Sequence, residues 1–239
     1  MNQFFFGTYP YIALAVLAIG SIARYDRDPF TWKSSSSQLL RRKQLVMGSV
    51  LFHVGVLVIF FGHLFGLLIP IQIYEAFGVT PQTKTVLAAS LGGIAGITAI
   101  IGALMLAHRR LVDPRVRATS SFWDTAIILL LIAQLTLGLI SVPVSLASIE
   151  EGEVVKFMAW AFGIFTLDPK AASSLQHVPL IFKLHIVLGL TIFLVFPFTR
   201  LVHMLSAPVR FLWRPGFQIV RARRKAASRQ RALPQGPTE

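Results

Sequence analysis

The sequence predicts an all-α integral membrane bundle of five transmembrane helices. Charged residues make up only 14% of the 239 residues, against about 25% in an ordinary soluble domain. The mean hydropathy is +0.67. Five apolar stretches, roughly 3–24, 45–69, 84–107, 123–143 and 179–204, each reach the length of about 20 residues that a helix needs to cross hydrocarbon.

Each stretch has its own boundaries. The first lacks a positive charge ahead of its apolar core and is followed at once by Arg24, Asp26 and Arg27. It therefore reads as a spanning helix and not as a cleaved leader. The second starts after Arg41, Arg42 and Lys43 and stops at Pro70. The third, with GGIAGITAIIGALML, places small residues at helical spacing, which suits close packing between helices in lipid. The fourth is expected to end near Pro143, and the fifth to kink at Pro197, whose ring removes a backbone donor and crowds the turn before it. Between them, 157–165 (FMAWAFGIF) is expected to form a short interfacial helix. Residues 1–225 are read as the membrane domain and 226–239 as a basic, polar cytoplasmic tail.

The net charge of +13 is a matter of topology. Of the 23 Lys and Arg residues, 19 fall after the first, third and fifth spans, leaving Lys84, Lys156, Lys170 and Lys183 on the other side. Positive charge stays cytoplasmic, so the N-terminus is expected outside and the C-terminus inside. This placement excludes a nucleic-acid groove. The basic end is a surface for lipid or a partner. The absence of cysteine excludes disulfides, thiolate zinc sites and cysteine-held iron–sulfur clusters, so a metal in this chain must rest on histidine, methionine or oxygen.

Four of the six histidines lie inside spans, where ionisable residues are costly and usually functional. His53 and His63 are on the second helix and His185 and His203 on the fifth. The two helices run in opposite directions, so His53 lies level with His203, and His63 with His185. Each pair can hold one b-type haem. The spacings disagree: ten residues on one helix rise about 15 Å and eighteen on the other about 27 Å, and the Pro197 kink has to absorb the difference. Gly55, Gly62, Gly66 and Gly189 stand near these histidines, where a flat macrocycle would approach the backbone. His108, beside Arg109 and Arg110, reads as an interfacial cation, and His177 as a residue at the start of the fifth span. Two haems across a membrane imply an electron relay, with a quinol as the natural donor and a separate redox subunit as acceptor.

The residues carry a resemblance. FFFGTYPYIA near the start, RYD at 24–26, SSQLLRRK at 36–43, LFHVGVLVIFFGHLFG, YEAF at 74–77, the RRL…PRVRAT segment at 109–119, IFKLHIVLG at 181–189 and FPFTRLVHMLSAPV at 196–209 resemble the gamma (cytochrome b) subunit of respiratory nitrate reductase over nearly the whole chain. The resemblance implies a multi-pass protein of the bacterial inner membrane. It would oxidise quinol near the periplasmic face and pass electrons through two haem b groups to an iron–sulfur beta subunit, then to a molybdenum-containing alpha subunit that reduces nitrate. It assigns the inner haem to His53 and His203, the outer to His63 and His185, and a quinol site to Lys84, Gly62 and His63. The FGVTPQTK loop before Lys84 departs from the family pattern by one residue. Arg109, Arg110, Arg115 and Arg117 are left between propionate and partner contacts.

The alternative within the same class is the cytochrome b subunit of another quinone-linked reductase, of the sulfite- or heterodisulfide-reductase type. A hydroxylase-like metal cluster would want histidines three or four residues apart on one helix face. A transporter would want acids at mid-depth, whereas the Asp and Glu residues here fall in loops or at span ends.

Overall fold

The computed structural model of the protein describes residues 1–32 and 42–206. The expected 225/226 boundary and the basic segment beyond Arg221 lie outside those residues. A π-helical turn, Phe4–Thr8, runs into α1 (Tyr9–Arg27). α2 (Arg42–Leu68) stops ahead of Pro70, and the short α3 (Ile71–Ala76) leads to α4 (Pro81–Val112). α5 (Pro114–Ala118) is a single turn before α6 (Phe122–Ala147), and α7 (Glu153–Phe165) precedes α8 (Leu180–Val195). Among the described residues, five helices (α1, α2, α4, α6 and α8) are long and apolar enough to cross a membrane. Their large apolar side chains point outward, Ile19 and Ile94 being 69% and 68% exposed, as lipid rather than water allows.

Local chemistry sets the helix starts. Thr80 accepts from the Thr83 N–H with Pro81 in the first turn of α4, and Asp113 accepts from the N–H groups of Arg115 and Val116 to open α5. Ser121 and Asp124 form a reciprocal capping box on α6. Gly152, at φ 63°, turns the chain into α7, which begins four residues before the expected interfacial segment and ends with it. Two ends differ from expectation. α6 passes through Pro143 and continues to Ala147, because a proline so close to the C-terminus interrupts few remaining bonds. The fifth span does not continue as a helix to 204. α8 ends at Val195, and the chain proceeds through 3₁₀ turns at Phe196–Phe198 and Arg200–Met204, with Thr199 extended between them.

The bundle packs in the order α1, α8, α6, α4, α2. Glycines make the α2–α4 seam close: a Cβ on Gly102 would stand 2.3 Å from the Phe52 backbone N, and one on Gly55 2.6 Å from the Ala95 carbonyl. At one end, α7 and the turn Ala171–Leu175 fold over the N-terminal segment. Trp160 Nε1 donates to the Phe6 carbonyl (2.8 Å) and the Asn2 amide to that of Ala172 (2.8 Å). At the other end, Asp124 binds Arg200 (2.7 Å) and Arg110 (3.4 Å).

Candidate functional site

The four histidines expected within the spans meet in two pairs, although His203 lies in the Arg200–Met204 turn beyond α8. The ring centroids of His53 and His203 are 6.2 Å apart with planes at 70°, and those of His63 and His185 are 6.2 Å apart with planes at 43°. Two imidazole nitrogens each about 2 Å from one shared metal would hold their ring centres about 6 Å apart, so each pair could hold one metal ion between its rings. α2 meets α8 across the His63–His185 rings and the Arg200–Met204 turn across the His53–His203 rings, but α2 and α8 take their close packing elsewhere. α2 packs on α4 and α7, and α8 on α6 and α1. The mismatch in rise disappears because eighteen residues of continuous helix do not separate His185 from His203. The break after Val195 turns the chain instead.

Three of the rings are oriented by their own segments. Nδ1 of His53 bonds the Ser49 carbonyl (2.7 Å), that of His63 the Ile59 carbonyl (2.9 Å) and that of His203 the Arg200 carbonyl. A carbonyl only accepts, so Nδ1 carries the proton in each and Nε2 keeps the lone pair a metal needs. His185 differs. Its Nε2 lies 3.4 Å from the Gln134 amide nitrogen, while His185 Nδ1 and Gln134 Oε1 are buried without partners among the described residues. Gly138 makes room for this ring, since a Cβ there would be 3.0 Å from His185 Cε1. These orphaned polar atoms fit a site completed by a bound group.

Gln134 and Gly138 were not picked out from the sequence, although a lone amide in the run LLLIAQLTLGLI is the kind of intramembrane polar residue that could have drawn notice. Of the four glycines read near the histidines, Gly62 and Gly66 open onto unfilled space, Gly189 backs Gln134, and Gly55 serves helix packing. Lys84 is buried, 6% exposed, with its ammonium 3.6 Å from the centre of the Tyr74 ring. The Tyr74 hydroxyl donates to the Phe65 carbonyl (3.0 Å). Lys84 is thereby tied to the turn of α2 that follows His63. His108 contacts Gln44 (3.3 Å) at the helix ends, and His177 is exposed ahead of α8. Arg110 engages Ser120 and Asp124, Arg109 is buried, and Arg115 and Arg117 are exposed on α5.

A family model described as nitrate reductase gamma subunit matches residues 2–223. The chain belongs to the nitrate reductase gamma subunit family. Among curated relatives of this family, it is 46% identical to the respiratory nitrate reductase 1 gamma chain of Escherichia coli (strain K12) over 93% of this chain and 98% of the relative. It is equally 46% identical to the respiratory nitrate reductase 2 gamma chain of the same organism, over 94% of this chain and 98% of the relative. The nitrate reductase gamma chain of Bacillus subtilis (strain 168) is 39% identical over 89% of this chain and 95% of that relative. Family membership and the five spanning helices make this chain a multi-pass membrane subunit of a nitrate reductase, which is an oxidoreductase complex. The match over residues 2–223 favours this family over the sulfite- or heterodisulfide-reductase type.

Proposed function

We propose that this chain is the quinol-oxidising subunit of a bacterial respiratory nitrate reductase in the inner membrane, in which the His53–His203 and His63–His185 pairs would each hold one of two haem b groups. The observation that carries the reading is the recurrence of one spacing, 6.2 Å between ring centres, in both pairs. The haems, when bound, supply one-electron steps across the hydrocarbon. The remaining work falls to the chain itself. The backbone bonds at Nδ1 of His53, His63 and His203 fix the tautomer that presents Nε2. A Cβ at Gly62 would meet nothing within 4 Å, which supports a quinol ring lying there beside His63, and the buried Lys84 ammonium over Tyr74 would be its donor to a quinol oxygen. Oxidation of a quinol to a quinone releases two electrons and two protons. With the basic helix ends in the cytoplasm, the His63–His185 pair is the outer one, and protons leave to the periplasm. Electrons leave from the His53–His203 side to an iron–sulfur beta subunit and a molybdenum-containing alpha subunit, where nitrate is reduced.

The test is a redox titration of the two haem components in membranes carrying single alanine variants. His63→Ala and His185→Ala should abolish one and the same component, and His53→Ala and His203→Ala the other. Any other grouping, or an unsubstituted chain without haem, would defeat the assignment.

A further inference from the structure

The break after α8 sets free carbonyls that a continuous helix would satisfy, and a part-buried backbone group left without a partner is costly. α1 supplies what they need. Arg24 donates from one terminal nitrogen to the carbonyls of Pro197 (2.7 Å) and Thr199 (2.8 Å). Its other terminal nitrogen and Nε reach the Thr31 carbonyl (2.9 Å) and hydroxyl (3.3 Å). One turn earlier on the same face of α1, Gly20 receives the Pro197 ring, and a Cβ there would be 2.8 Å from Pro197 Cγ. Thr199 closes the break locally, donating to the Phe196 carbonyl (3.0 Å) and accepting from the Leu201 N–H (3.2 Å). The turn that follows carries Arg200, held by Asp124 on α6, and His203, facing His53.

We propose that Arg24, one turn beyond the Gly20 recess that receives Pro197, is a positioning residue for His203. It fixes the direction of the chain after Val195, so that His203 meets His53 although α8 has ended eight residues earlier. The planar guanidinium is required because a lysine ammonium cannot span two carbonyls and Thr31 together. The inference rests on the reading of His53 and His203 as a haem ligand pair.

The test uses the full chain in membranes and reads the two haem components by reduced-minus-oxidised spectra and redox titration. Arg24→Gln should lose, several-fold, the component that His203→Ala loses, while the component lost in His63→Ala stays near its unsubstituted amount. Arg24→Lys should retain part of the affected component at a shifted midpoint potential. Arg27→Gln, at an exposed position on the same helix, should leave both unchanged. Equal loss of both components in Arg24→Gln would mean a general folding role and would overturn the proposal, as would retention of both. If His53→Ala and His203→Ala fail to remove one shared component, the ligand reading itself is at fault, whatever Arg24 does.

Discussion

At the scale of single residues, placement separates chemistry from packing. Gly62 and Gly55 stand beside histidines on the same helix, yet a side chain at Gly62 meets nothing within 4 Å and one at Gly55 meets the α4 backbone. Gly62→Ala should therefore leave the haem complement intact and weaken quinol use, seen as a higher KM with little loss of protein in the membrane. An unchanged KM would remove Gly62 from the quinol site. Glu153 is a second case. It is 2% exposed, one oxygen meets Lys156 at 3.3 Å, and the other is buried without a partner among the described residues. Burial holds its carboxyl above the usual carboxylate range, with Lys156 pulling the other way. The folded chain then binds this proton more tightly than the unfolded chain does. The stabilisation is complete below the ordinary carboxyl pKa and is lost as pH rises through the raised value. Glu153→Gln keeps the shape and removes the titration, so it should raise the Tm in detergent at neutral pH and change it little near about pH 4. A lower Tm at neutral pH would mean that the Lys156 pair outweighs burial.

At the scale of helices, close approach decides stability. A methyl at Gly102 would fall 2.3 Å from a backbone nitrogen and 2.6 Å from a backbone oxygen of α2, neither of which can swing aside. Gly102→Ala should destabilise the α2–α4 seam by about 1–3 kcal/mol, the usual range for overpacking. Gly92→Ala, on the same helix with nothing within 4 Å, should be neutral or stabilising by up to about 1 kcal/mol from helix propensity. Thermal unfolding of the two variants in detergent checks the contrast. Equal effects would mean that helix propensity, and not contact, governs both positions. Gly138 joins helix packing to the site, because α6 can lie against α8 there only while the His185 ring has that space.

At the scale of the whole molecule, two ends of the bundle have distinct chemistry. One gathers Arg24, Arg110, Asp124 and Arg200, and the other is covered by α7 and the Ala171–Leu175 turn. The basic end is expected in the cytoplasm. The chain has no cysteine, so single introduced cysteines report position cleanly. An impermeant maleimide should label Gln176→Cys in intact spheroplasts and Thr119→Cys only after permeabilisation, both positions being exposed. The reverse pattern would invert the bundle, and with it the direction of electron flow proposed above.

Hydropathy and length determined the five spans, because a membrane imposes one demand, about 20 apolar residues with satisfied backbone, and the chain advertises its answer locally. The antiparallel order of the helices then determined which histidines share a depth, and the pairing of His53 with His203 and His63 with His185 was legible on that ground. The ends at Pro143 and Pro197 were not. A proline states that a backbone bond is lost, but whether the helix continues depends on what lies beyond it and what neighbours offer. Few bonds remain to be lost in α6. After α8, Gly20 and Arg24 of α1 provide the recess and the donors that stabilise a full break. Gln134 and Gly138 escaped notice for the same reason, since their meaning lies in contact with His185 across 51 and 47 positions of sequence. Only tertiary structure brings such partners together, because no periodicity along one helix records what its neighbour presents.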